Sequence, residues 1–71
     1  MYVFVSDHSA LLSLQEHLRR ADCVAEQERA HELEVYVPSA PNDWQARWEL
    51  EIYLAAWQAR HAGVEAYIVD R

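Results

Sequence analysis

The chain is 71 residues long and carries a formal charge of −6, with 52% apolar and 25% charged side chains, one glycine and no lysine. So apolar a chain buries a core rather than staying disordered, yet a single domain of this size hides only roughly 60% of its unfolded surface. The solitary Gly63 leaves no glycine-rich phosphate loop, the missing lysine excludes Walker-type and Schiff-base lysine chemistry, and twelve acidic residues against six arginines repel nucleic-acid backbones and anionic headgroups.

In chain order, residues 1 to 5 form an apolar run that reads as a central strand, stopped by Ser6-Asp7-His8-Ser9. Asp7 or Ser9 can cap a first helix in which Leu11, Leu14 and Leu18 share one face and Arg19-Arg20 suit the negative end of the dipole. Gln15, Glu16, Arg19 and Arg20, flanked by His17, read as its solvated face. Cys23-Val24-Ala25 and the polar Glu26 to Arg29 lead to a strictly alternating stretch from His31 to Val37, giving a hairpin that Pro38 ends. Ser39 is the expected cap of a second helix, with Pro41 in its first turn and Asp43 near its positive end. Nothing breaks that helix before Ala62, Gly63 is its left-handed stop, and Val64 to Val69 alternates as a last strand.

The resulting β-α-β-β-α-β order is the plan of an α+β, ferredoxin-like domain covering residues 1–71. Its four antiparallel strands are expected in the order 4-1-3-2, with both helices on one face.

Two surfaces then hold more apolar area than one small core consumes. On the second helix, Trp44, Trp48, Ile52, Ala55, Ala59 and Ala62 make one stripe; Leu50, Tyr53, Leu54 and Trp57 make another roughly opposite. Small residues allow close approach, so Ile52, Ala55 and Ala59 are expected against the sheet, leaving Leu50, Tyr53, Leu54 and Trp57 for the first helix or for a partner. On the sheet, if Val3 and Val5 point to the helices, Tyr2, Phe4, Tyr36 and Tyr67 share the open face with Glu32, Glu34 and Glu65. Aromatic side chains are favoured interface anchors, so both surfaces are candidate contacts in a homodimer or with another protein.

Specific chemistry finds little support. An RNA-binding sheet of this plan needs basic residues around its aromatics, and the third strand offers Glu32 and Glu34 instead. Metal-handling domains of this plan carry Cys-x-x-Cys in the first loop, where this chain has Ser6-Asp7-His8-Ser9. His8, His17, His31 and His61 lack paired ligand spacing, although His8 stands beside Asp7. No serine sits in a nucleophile elbow, and Glu32 and Glu34, about 7 Å apart on one strand face, read as a solvated edge rather than an acid/base pair. Cys23 alone forms no internal disulfide and reads as a buried small side chain. Met1 to Val5 has neither the basic flank nor the cleavage site of a secretion signal, and no charge-free run approaches the ~18–20 residues that span a bilayer, which points to the cytoplasm.

Leu14-x-x-x-Leu18, Arg20-Ala21-Asp22-Cys23-Val24-Ala25 and Glu34-Val35-Tyr36-Val37-Pro38 before an acidic helix start resemble small bacterial ferredoxin-like signal-transducing domains of unknown function. The resemblance covers residues 1 to 60, departs at the tryptophan-rich second helix, and implies a binding or regulatory module without catalytic residues. The expectation is therefore a non-enzymatic module that self-associates, with no cofactor, metal, nucleic-acid or membrane partner. The alternative is a metabolite-sensing regulatory domain with its ligand at a dimer seam; such domains usually have a glycine-bearing first loop, which this chain lacks.

Overall fold

Tyr2–Val5 forms β1, whose alternation buries Val3 and Val5 completely and leaves Tyr2 and Phe4 half-buried on the opposite side. In the computed structural model, which describes residues 1–70, β1 lies between two antiparallel neighbours, β3 (Glu32–Tyr36) and β4 (Ala66–Val69). The outer strand β2 (Val24–Arg29) pairs with β3, so the sheet runs β2-β3-β1-β4, the expected order read from its other edge. A fully apolar β1 belongs in the centre because both its edges are paired and one face meets the core.

The polar stretch Glu26 to Arg29 is part of β2 rather than a connection. An edge strand tolerates it: only Ala25 of β2 is buried, and the register shifts between Gln27 and Arg29, a bulge that with the charges discourages edge pairing. The hairpin turn is correspondingly tight, at Ala30 and His31.

Asp7 caps a short 3-10 turn, His8–Ala10, accepting from the Ser9 N–H and hydroxyl at 2.9 and 2.7 Å; α1 (Leu11–Arg20) follows directly. Leu11, Leu14 and Leu18 enter the core as their spacing requires. Gln15 does not face solvent as expected; it is buried, and its amide donates to the Ala25 carbonyl of β2 at 2.9 Å. The helix ends in a Schellman motif, with Cys23 N–H on Leu18 O, Asp22 N–H on Arg19 O, and Asp22 in the left-handed region at φ +62°.

α2 spans Asp43–Gln58. Its cap is Asn42 rather than Ser39, the Asn42 Oδ1 accepting from Gln45 N–H at 2.8 Å, because Pro38 and Ser39 form a separate turn closed by Ala40 N–H on Val37 O at 3.2 Å. It stops four residues short of Ala62, and Gly63, at φ +86°, closes a following turn instead of capping the helix directly. Strand pairing likewise begins at Ala66, not Val64.

The rotational phase of α2 is the main correction. Leu50, Leu54 and Trp57 are buried in the core with Val3, Val5, Leu33, Val35 and Ala66 of the sheet, and Tyr53 is half-buried beside them. Trp44, Trp48 and Ile52 are exposed, as are Ala55 and Ala59. Two physical reasons select this phase. Arg47 and Glu51 border the first stripe, pair with each other at 3.6 Å and reach Asp70 through Arg47 at 2.8 Å, so turning that stripe inward would bury charges. Trp57, turned inward, still satisfies its indole N–H on Ser13 Oγ at 3.2 Å. α1 lies over β2 and β3, and α2 packs against β4.

Candidate functional site

Three surfaces follow from this frame. The open sheet face carries Tyr2, Phe4, Tyr36 and Tyr67 together, as the alternation requires, with Tyr36 64% and Tyr67 50% exposed. Phe4 is the hub: its ring stacks on His31 at 5.8 Å and meets Tyr67 at 5.3 Å. His31 is held there by its Nδ1–H, which donates to Val5 O at 2.9 Å, and its ring lies 5.8 Å from His8. Register places Glu34 opposite both Tyr2 and Glu26, and Glu32 opposite Phe4, so carboxylates interleave with the aromatics. Glu34 is exposed and Glu32 half-buried on that face.

The second surface is the outward side of α2. Trp44, Trp48 and Ile52, exposed to 75%, 53% and 48%, stand one turn apart in a line that Ala55 and Ala59 continue. Leu50, Leu54 and Trp57, expected as contact residues, are core instead, and Tyr53 offers only part of its ring. Burial and the Glu49 carboxylate, on which the Tyr53 hydroxyl donates at 3.4 Å, push the Tyr53 phenol up from its ordinary pKa.

The third is a cleft of about 140 Å³ between α1 and the C-terminal end of α2. Ser13 Oγ accepts from the Trp57 indole and donates to His61 Nε2 at 3.3 Å, while His61 Nδ1–H donates to Trp57 O at 2.8 Å. Because a carbonyl only accepts, that last bond fixes the neutral tautomer with its proton on Nδ1. His17 Nε2–H donates likewise to Tyr53 O at 3.0 Å, so two imidazoles tie α1 to α2. Arg20, Arg60 and Glu16 complete the wall.

A larger groove of about 320 Å³ lies between Tyr36–Val37 and the chain leading into α2, around Pro41 and Ala46. Cys23 is buried, and burial with the Glu49 and Asp22 carboxylates raises its thiol pKa. Asp7 is held below the ordinary carboxylate value by its hydrogen bonds from the Ser9 hydroxyl and N–H. Among the described residues, no cluster of three His, Cys, Asp or Glu is arranged to hold a metal ion, and no helix is long and apolar enough to cross a membrane.

The cleft escaped sequence reasoning because Ser13 and His61 are 48 positions apart. A signal existed within each helix: Ser13, His17 and Arg20 follow 4-and-3 spacing, and Trp57 and His61 are one turn apart. Which edges of the two helices meet is set only by tertiary packing. Compared with protein-family models, curated proteins and solved structures, the chain has no match.

Proposed function

We propose that this protein is a non-enzymatic binding or regulatory module that acts as a homodimer paired through the outward face of α2. The observation that carries this is the line of Trp44, Trp48 and Ile52, three large side chains left about half exposed or more on one helix face. A second copy is the occupant that fits, because the face is complementary to itself. About a two-fold axis at Ile52, antiparallel helices set Trp48 of one copy over Ala55 and Ala56 of the other, and Trp44 over Ala59. Large side chains at one end thus meet small ones at the other.

The sheet face is the weaker candidate. Two copies stacked there oppose Glu26 and Glu34 of one to those of the other, with like charges brought together. Ser13, although hydrogen-bonded to His61, is read as a bridge from the Trp57 indole to the imidazole rather than as a nucleophile. A binding or regulatory role agrees with the resemblance to small bacterial ferredoxin-like domains.

A 16-residue helix is ~24 Å long and ~10 Å wide, a footprint of a few hundred Å² against the ~800 Å² per partner of a standard interface. The dimer should therefore exchange with monomer in the micromolar range or above. Sedimentation velocity across that range should show the equilibrium, Trp48→Glu and Ile52→Glu should abolish it, and Tyr36→Ser should leave it intact. A wild-type protein that stays monomeric throughout overturns the proposal, and loss of the dimer only in Tyr36→Ser transfers it to the sheet.

A further inference from the structure

We propose that the cleft between α1 and the end of α2 binds a phosphate group, as inorganic phosphate or as the terminal phosphate of a small monoester. The inference stands on the monomer and does not depend on dimerisation. The chain as a whole is acidic, yet this cleft gathers two of its six arginines and two of its four histidines around a single carboxylate, Glu16.

The two guanidiniums are placed differently. Arg20 is pre-oriented by its 2.6 Å bond to Glu16 one turn earlier, which leaves most of its five donors open. Arg60 makes no side-chain hydrogen bond or ion pair among the described residues, although acidic residues outnumber basic ones two to one in this chain. Two cations against one anion leave the wall positive without counting the imidazoles. The cavity, at about 140 Å³, far exceeds the ~10–15 Å³ that admits one water.

The imidazoles sharpen the ligand class. With Nε2–H of His17 on Tyr53 O, Nδ1 of His17 is the ring nitrogen left open to a ligand, since His61 Nε2 already accepts from Ser13 Oγ. A ligand that only accepts, such as sulfate or a simple carboxylate, satisfies the arginines but not this nitrogen. Inorganic phosphate carries acceptor oxygens and a P–OH donor in both of its forms near neutral pH, and a phosphate monoester carries that donor in its monoanion, the minor form above a second pKa of ~6. Ser13 Oγ, already bonded to Trp57 and His61, transmits occupancy of the cleft to the indole N–H.

The test is an NMR titration of the whole chain at constant ionic strength, following the three indole N–H resonances. Inorganic phosphate should shift the Trp57 resonance saturably and leave Trp44 and Trp48 in place. Sulfate should bind more weakly; glycerol phosphate matching or exceeding inorganic phosphate identifies the monoester as the source, whereas tighter inorganic phosphate identifies the free ion. Arg60→Gln should weaken phosphate binding by about tenfold or more, with the unliganded Trp57 resonance unmoved as evidence of an intact fold. Arg47→Gln, on the outward face of α2, should leave binding unchanged. A non-saturating shift, equal shifts at all three indoles, sulfate binding as tightly as phosphate, or equal weakening by Arg47→Gln and Arg60→Gln overturns the proposal.

Discussion

The indole of Trp57 lies almost flat on the imidazole of His61, one turn further along the chain, with ring centroids 4.0 Å apart and planes 15° from parallel. Trp57 fills the core beneath α1, and His61 closes the hydrogen-bond loop through Ser13 that joins α1 to the end of α2. One buried ring thus supplies both apolar volume and the link between the helices. Trp57→Ala should cost about 3–5 kcal/mol, a large part of the ~4–10 kcal/mol available to a domain of this length. Trp57→Phe keeps most of the volume and loses only the donor to Ser13, so it should cost less than half as much. Urea unfolding of the three proteins measures this, and a Phe variant as unstable as the Ala variant would show that the Ser13 link outweighs the packing.

Asp22 occupies the left-handed position of the Schellman motif that ends α1, a conformation that costs residues other than glycine about 1–2 kcal/mol, less for Asp and Asn. Its carboxylate also stands at the negative end of the helix dipole. Asp22→Gly should therefore stabilise the protein by about 0.5–1 kcal/mol, net of the entropy glycine adds to the unfolded chain. Asp22→Val should do the reverse. A thermal midpoint unchanged or lowered in the glycine variant contradicts this account of the turn.

The alternation of β1 and β3 and the α1 core stripe could be read from residues because each depends on a local pattern, and the strand order followed from the succession of elements. Val3 and Val5 alternate with Tyr2 and Phe4, and Leu33 and Val35 alternate with Glu32, Glu34 and Tyr36, so one register satisfies both strands. The phase of α2 could not be read in this way, because Leu50-Leu54-Trp57 and Trp48-Ile52-Ala55 have the same 4-and-3 spacing. What separates them is tertiary: Ser13 on another helix receives the Trp57 N–H, and Asp70 at the far end of the chain draws Arg47 outward. The cap moved from Ser39 to Asn42 for a local reason that two prolines obscure, since either residue can accept from a first-turn N–H. The candidate surfaces shifted accordingly. Tyr2, Phe4, Tyr36 and Tyr67 share the face their alternation indicates, whereas Leu50, Leu54 and Trp57 exchanged places with Trp44, Trp48 and Ile52.

Cys23 should make the protein less stable in alkali. Burial and two carboxylates hold its folded-state pKa above the ordinary value, so the native state keeps the proton after the unfolded chain has released it. The contribution is therefore intact below the unfolded thiol pKa of ~8.5 and declines as pH rises toward the folded value. Tyr53, raised by burial and by Glu49, adds a second decline above its ordinary ~10. Urea midpoints measured across that range should fall more steeply for the wild type than for Cys23→Ala, and the thiol should react with an alkylating reagent far faster in urea than in buffer. Parallel pH profiles for the two proteins would remove Cys23 as the cause.

Salt should act in opposite directions on the two proposed sites. Each chain carries a charge of −6, so pairing two copies through a face of Trp44, Trp48 and Ile52 brings like charges together while the contact itself is apolar. Raising ionic strength from ~0.01 to ~0.15 M shortens the screening length from ~30 to ~8 Å, which weakens that repulsion and leaves the apolar contact untouched, so the dimer should tighten. Phosphate held by Arg20 and Arg60 at the mouth of an open cleft depends on attraction between exposed charges, and the same change should loosen it. Sedimentation and indole titrations run over one salt series separate the two. A dimer that loosens with salt would mean that charge pairs, not the tryptophan line, hold the copies together, because only attractive contacts lose strength when charges are screened.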